Sequence, residues 1–254
     1  MAPPSFCDLG KDARDILTKH FYVGTFNLKC NSSVSSDVET KFSLSSKWNF
    51  DNVLDNELVF EDHLLKGLKQ TFKCSFRPYD GLSNASIENT LKSNMATAQL
   101  DIFFKSAIPD ISPSLVISHS GYLAGVELSL DSANRLVQRA RFAVGYQVPN
   151  FAFCGIISNW GKFFSATVSQ RLTDRLDMAG SVDWSRDEDH VAWAVGYKYL
   201  IDNEFKHFFK VKLDHMSRIS LSLTNYLSEN LQVSMCGVFR GPDPPQLGVG
   251  IEWS

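Results

Sequence analysis

From about residue 23 to its end the chain alternates apolar and polar side chains with a period of two, and this pattern limits its fold more than any other feature. In Phe209-Lys210-Val211-Lys212-Leu213-Asp214 every second side chain is apolar. Leu176, Met178, Val182 and Trp184 share one face against Asp177, Ser181, Asp183 and Ser185, and Ile219, Leu221 and Leu223 alternate with Arg218, Ser220, Ser222 and Thr224. The same holds for Leu68, Phe72, Cys74 and Phe76 against Lys69, Thr71, Lys73 and Ser75, and for Leu247, Val249, Ile251 and Trp253 at the C-terminus. Such strands bury one face and wet the other. A soluble β-sandwich produces the same alternation, so three further features are needed to choose. The repeat runs through nearly the whole chain with short turns such as Asn49-Phe50-Asp51-Asn52. The polar face carries many charges, and aromatics (Trp48, Tyr146, Trp184, Tyr197, Tyr199, Trp253) gather toward strand ends, as in the girdles of membrane barrels. Counting the runs gives about seventeen strands, near the ~9–11 residues that a tilted membrane strand requires.

An apolar content of 44% and a mean hydropathy of −0.13 do not oppose a membrane barrel, because its strands meet lipid only at every second residue. No stretch approaches the ~18 consecutive apolar residues of a membrane helix. Ahead of the strands, Leu9, Ala13, Ile16 and Leu17 form a helical stripe within Ser5 to Lys19, with charges on the rest of the wheel. The expected division is therefore an amphipathic helix and linker over residues 1–22 and a barrel over residues 23–254. Periodicity alone favours a helix that caps a soluble core.

Other classes find little support. Five scattered cysteines offer neither a disulfide framework nor zinc spacing, so no metal and no cofactor is expected. No secretory signal is recognisable, and Asp8, Asp12 and Asp15 argue against a transit peptide, so a bacterial-type exported porin is not expected. A net charge of −3 gives no support for nucleic acid. His119, His190, His207 and His215 have no metal or triad spacing, and no serine sits in a nucleophile elbow, so no enzyme is expected.

Several blocks, in order along the chain, then resemble one family. Ala2-Pro3-Pro4 followed by Asp8-Leu9-Gly10-Lys11-Asp12-Ala13-Arg14-Asp15 is similar to the start of the mitochondrial porins, the voltage-dependent anion channels. So are Lys47-Trp48-Asn49-Phe50-Asp51-Asn52, Gly67-Leu68-Lys69, Tyr122-Leu123-Ala124-Gly125, Phe142-Ala143-Val144-Gly145-Tyr146 and the terminal Leu247-Gly248-Val249-Gly250-Ile251-Glu252-Trp253. The resemblance implies a channel of the mitochondrial outer membrane for ATP, ADP and small anions, with its helix inside the lumen. Membrane lipid, cytosolic protein partners and self-association are the partners it implies.

Relative to that family, whose barrel has nineteen strands, the chain is shorter by roughly two dozen residues between Lys29 and Lys47, about two strands. Losing two strands preserves the direction of all later ones, so seventeen is coherent, and the lumen should narrow by roughly a tenth. The resemblance assigns phosphate contact to Lys11, Arg14 and Lys19, where a mobile cation attracts phosphate without trapping it. Lys69, Lys73, Lys210, Lys212 and Arg171 are expected as lumen-facing charges, with Lys41, Lys47 and the acids Asp177, Asp183, Glu127 and Asp214. A stretch linked to dinucleotide contact in the family corresponds to Arg218, Ile219 and Ser220. The family's membrane-facing glutamate is replaced by Ser46, and its glycine-rich linker by His20-Phe21-Tyr22-Val23-Gly24, a stiffer hinge expected to weaken voltage gating. A pI of 6.1 points to weakened anion preference. Two readings of the fold compete: an open diffusion pore, and a narrowed, poorly conducting barrel that acts as a scaffold for protein partners.

Overall fold

The computed structural model describes residues 2–21, 26–35, 41–49, 54–61, 67–77, 81–104, 108–132, 134, 136–187, 190–202, 207–228, 231–241 and 244–253. Seventeen strands form one sheet: β1 (Phe26–Ser35), β2 (Lys41–Asn49), β3 (Leu54–Glu61), β4 (Leu68–Arg77), β5 (Gly81–Lys92), β6 (Ala96–Phe104), β7 (Asp110–His119), β8 (Tyr122–Asp131) and β9 (Leu136–Val148), then β10 (Phe151–Ser158), β11 (Phe163–Thr173), β12 (Leu176–Ser185), β13 (His190–Leu200), β14 (Phe208–Asp214), β15 (Ile219–Ser228), β16 (Leu231–Phe239) and β17 (Gln246–Trp253). Within each unit, strands that are neighbours in sequence are neighbours in the sheet. The registers from β2 to β8 and from β11 to β17 are antiparallel, as in β12–β13, where Ala179 faces Gly196 and Asp183 faces Ala192. Strands run from 7 residues in β14 to 13 in β9, a wider spread than the alternation alone suggested.

The apolar faces lie open. Leu115, Ile117, Val144, Trp193, Met235 and Leu247 are each at least 40% exposed, and among the described residues no second sheet covers them. A soluble sandwich would bury this surface; a barrel in lipid does not need to. The fold is the transmembrane β-barrel, preceded by a short helix.

The N-terminal segment departs from the single helix expected over Ser5 to Lys19. A 3₁₀ turn (Phe6–Asp8) is followed by a break at Gly10, in the left-handed region at φ 68, and only then by the helix α1 (Lys11–Leu17). Gly10 permits the break because an added Cβ would collide with the Thr167 hydroxyl. The stripe itself is as expected: Leu9, Ala13, Ile16 and Leu17 are all buried. Tyr22, Val23 and Gly24, on which the stiff-hinge expectation rests, lie outside the described residues. So do the side chains of Lys41 and Lys47.

By contacts the chain divides into two units. One comprises Met1–Leu9, Lys29–Val144 and Ser158–Trp160; the other Gly10–Leu28, Gly145–Ile157 and Gly161–Ser254.

Candidate functional site

In the first unit the 3₁₀ turn settles on the polar face of β6–β8. Phe6 is buried against Gly125 and Val116, in space that a Cβ on Gly125 would crowd at 3.1 Å. The Arg141 guanidinium lies over its ring at 5.4 Å, and the Thr97 hydroxyl donates to the Pro3 carbonyl at 2.6 Å. Around this contact the wall is acidic. Arg141 pairs with the buried Glu127, Lys73 with Glu88 at 2.5 Å, and Lys69 with Glu61 at 2.9 Å. Asp101, also buried, accepts both its side-chain bonds from the Gln99 amide, at 2.7 and 3.0 Å. Burial first, and then Glu127, Asp101 and Glu88, push the Cys7 thiol above its ordinary range.

In the second unit α1 lies on the polar face of β11–β13. Ala13, Ile16 and Leu17 pack on Ala179 and Ala194, small residues that let the helix approach the strands. Gly196 matters for the same reason: a Cβ there would stand 2.8 Å from Leu17 and 3.1 Å from the Val211 carbonyl. The last turn of a helix leaves carbonyls without intrahelical partners. Here Lys210 of β14 supplies one, its Nζ donating to the carbonyls of Asp15 at 2.7 Å and Lys19 at 3.1 Å. This corrects one expectation. Lys210 points to the polar face but is only 3% exposed, because the helix end covers it, so it is a cap and not a solvated wall charge.

The remaining expected residues fall as follows. Lys11, Arg14 and Lys19 are exposed. Lys69 and Lys73 are on the polar face but held by acids, as is Arg171, 3.3 Å from Asp177. Lys212, partly buried, borders a cavity of about 390 Å³ together with Arg218, Arg240, Ser220 and Asp214. Arg218 and Ser220 meet there, but Ile219 does not join them. It is 45% exposed on the opposite face, as alternation along a strand requires, so the three do not form one contiguous site. Arg218 donates to Asp214 at 2.8 Å. Ser46 falls opposite Asn56 in the register and donates to its Oδ1 at 2.6 Å, a neutral pair where the resemblance puts a glutamate.

A second cavity, of about 380 Å³, opens beside α1 and collects Asp12, Asp15, Lys19, His20, Arg171, Asp177, Lys198 and Lys210. Sequence reasoning missed two of these. Lys198 sits between Tyr197 and Tyr199, and its polar-face position was readable from that alternation. At His20 the local sequence shows only the loss of a glycine, because its contacts come from strands some two hundred residues further along. Among the described residues no group of three or more histidines, cysteines or carboxylates could hold a metal.

A family model described as eukaryotic porin matches residues 33–248. The non-selective voltage-gated ion channel VDAC1 of Sus scrofa and that of Homo sapiens are each 29% identical over 99% of this chain and 98% of their own length. The voltage-dependent anion-selective channel of Drosophila melanogaster is 28% identical over 99% of both chains. These alignments run over 281 or 282 residues, more than the 254 of this chain, so they carry gaps on its side.

Proposed function

The chain belongs to the eukaryotic porin family, and we propose that it is a passive diffusion channel of the mitochondrial outer membrane for nucleotides and other small hydrophilic solutes. The observation that carries this reading is the sidedness of the sheet. Apolar side chains are bared along one face, while the other presents charges and cavities. Such a wall needs lipid outside and water within. It is not an enzyme. The relatives are named as channels, which favours conduction over the scaffold reading.

Within the pore, exposed Lys11, Arg14 and Lys19 supply cations that meet phosphate without enclosing it, and the cavity edged by Lys212, Arg218 and Arg240 offers a second stopping place for an anion. Cytosolic partners and self-association, if present, would use the rims and the lipid face. Planar-bilayer recording of the purified chain tests the proposal. Stable single-channel steps are expected, together with ATP efflux from loaded vesicles that falls severalfold when Lys11, Arg14 and Lys19 are all changed to Gln. Membranes that stay electrically silent at all voltages would overturn it in favour of the scaffold.

A further inference from the structure

His20 closes the N-terminal segment in a backbone conformation normally left to glycine, at φ 69. A side chain held there needs contacts that offset the strain, and they converge on this one residue. The Ser222 hydroxyl donates to the His20 carbonyl at 2.7 Å. The ring nitrogen Nδ1 lies 3.1 Å from the Gln232 amide nitrogen and 3.3 Å from the Ser234 hydroxyl. The ring meets Phe208 edge-on at 5.4 Å and is 7% exposed. One turn earlier, Lys210 holds the carbonyls of Asp15 and Lys19. An amide nitrogen only donates, so Nδ1 must present a lone pair to Gln232. A neutral imidazole can do this, and an imidazolium cannot.

We propose that His20 is a proton-operated latch: its neutral ring holds the end of α1 on β14–β16, and proton uptake releases that end from the wall. The charged surroundings act in the same sense. Lys19 on the segment itself, Lys198 of β13 and Lys210 of β14 oppose a second positive charge, and Glu252 of β17 favours it. Asp12, Asp15, Arg171, Asp177 and Tyr226 border the cavity alongside. Burial first, and Lys210 next, bring the imidazole down to about 4.

The direction of the pH effect follows from that depression. Above pH 7 both the docked and the released ring are neutral, and docking is at full strength. A released, solvated ring takes up its proton near 6.5, whereas the docked ring resists until about 4. Between those values acid favours release. The docked-to-released ratio should fall about tenfold per pH unit, on the order of a hundredfold by pH 4.

The test reads helix position and not current, so it succeeds or fails independently of the conduction proposal. In the full chain with its cysteines replaced, a spin label at the exposed position Asp12 is followed in lipid bilayers from pH 7 to pH 4. A label immobile at pH 7 and mobile by pH 4 is expected. His20→Gln keeps a hydrogen-bond acceptor and cannot titrate, so its label should stay immobile throughout. His20→Gly relieves the backbone but loses the ring, so its label should be mobile already at pH 7 with the strand circular dichroism unchanged. A wild-type label indifferent to pH, or the same transition in His20→Gln, overturns the latch. Should His20→Gln fail to fold, ring resonances of the wild type decide: a His20 ring that titrates near 6.5 while the label stays immobile refutes it equally.

Discussion

The polar faces of the two units manage charge in opposite ways. In the first, three cations sit against carboxylates: Lys69 with Glu61, Lys73 with Glu88, Arg141 with Glu127. Asp101, by contrast, is buried against an amide. In the second, Arg171 and Arg218 are paired with acids, but Lys210 is bonded to carbonyls, and Lys198 and Lys210 both lie within 5.4 Å of the Phe208 ring. The difference tracks what each face must support. The 3₁₀ turn meets the acidic wall through an aromatic ring under a guanidinium and one backbone carbonyl. The helix end brings a row of orphan carbonyls, which attract cations and repel carboxylates. The second unit is electropositive where the helix ends because that is what a helix C-terminus requires.

Removing the lysine cap should have the largest consequence. Lys210→Met keeps the volume but strands two carbonyls that a charged donor served, a loss of about 2–3 kcal/mol of docking. Hydrogen exchange of the α1 amides should speed up by well over tenfold while the strands keep their protection. If α1 exchanges no faster, the cap is not what holds it.

Next comes close approach. Gly196→Val should displace Leu17 and loosen the helix by roughly 1–3 kcal/mol, read by the same amides. Gly180→Val makes the useful control. A Cβ there meets nothing nearer than 3.4 Å, and the residue alternates to the lipid side, so α1 should be unmoved.

Selectivity sharpens the contrast further. The acids of the first unit and the low pI predict a weak anion preference, so the reversal potential in a salt gradient should lie close to zero. A strongly anion-selective potential would mean that the second unit's cations dominate the path. Gating follows at a smaller scale: a variant with glycine at both His20 and Tyr22 should close more readily with voltage than the native chain, whose conductance should depend on voltage only weakly. Smallest of all is Lys69→Ala, which breaks an ion pair whose partners are both more than a third exposed. It should change stability by no more than about 1 kcal/mol.

Labelling by aqueous thiol reagents gives the register itself a test. Leu221, Val249 and Trp253 face lipid by alternation, whereas Asp183 is on the polar face and exposed. Ser220 and Lys210 share that polar face but lie 7% and 3% exposed, so cysteines there should react slowly despite facing inward.

The alternation determined the sheet, because a strand with one face in lipid and one in water can satisfy both solvents only with a period of two. It also placed Asp177, Asp183, Lys69 and Lys73 on the polar side, and the stripe Leu9, Ala13, Ile16, Leu17 announced the buried side of the N-terminal segment. These are local relations, fixed within a few residues. What only the tertiary structure decided is which polar-face residues remain in water. Lys210 and Lys212 are separated by a single residue and look equivalent in sequence, yet α1, almost two hundred residues earlier, ends over the first and makes it a cap. His20 likewise carries no signal in its own neighbourhood, since Ser222, Gln232 and Ser234 reach it only once β15 and β16 are in place. A period of two records which face a side chain takes; what lies on that face is set by contacts between distant segments, and no local pattern encodes them.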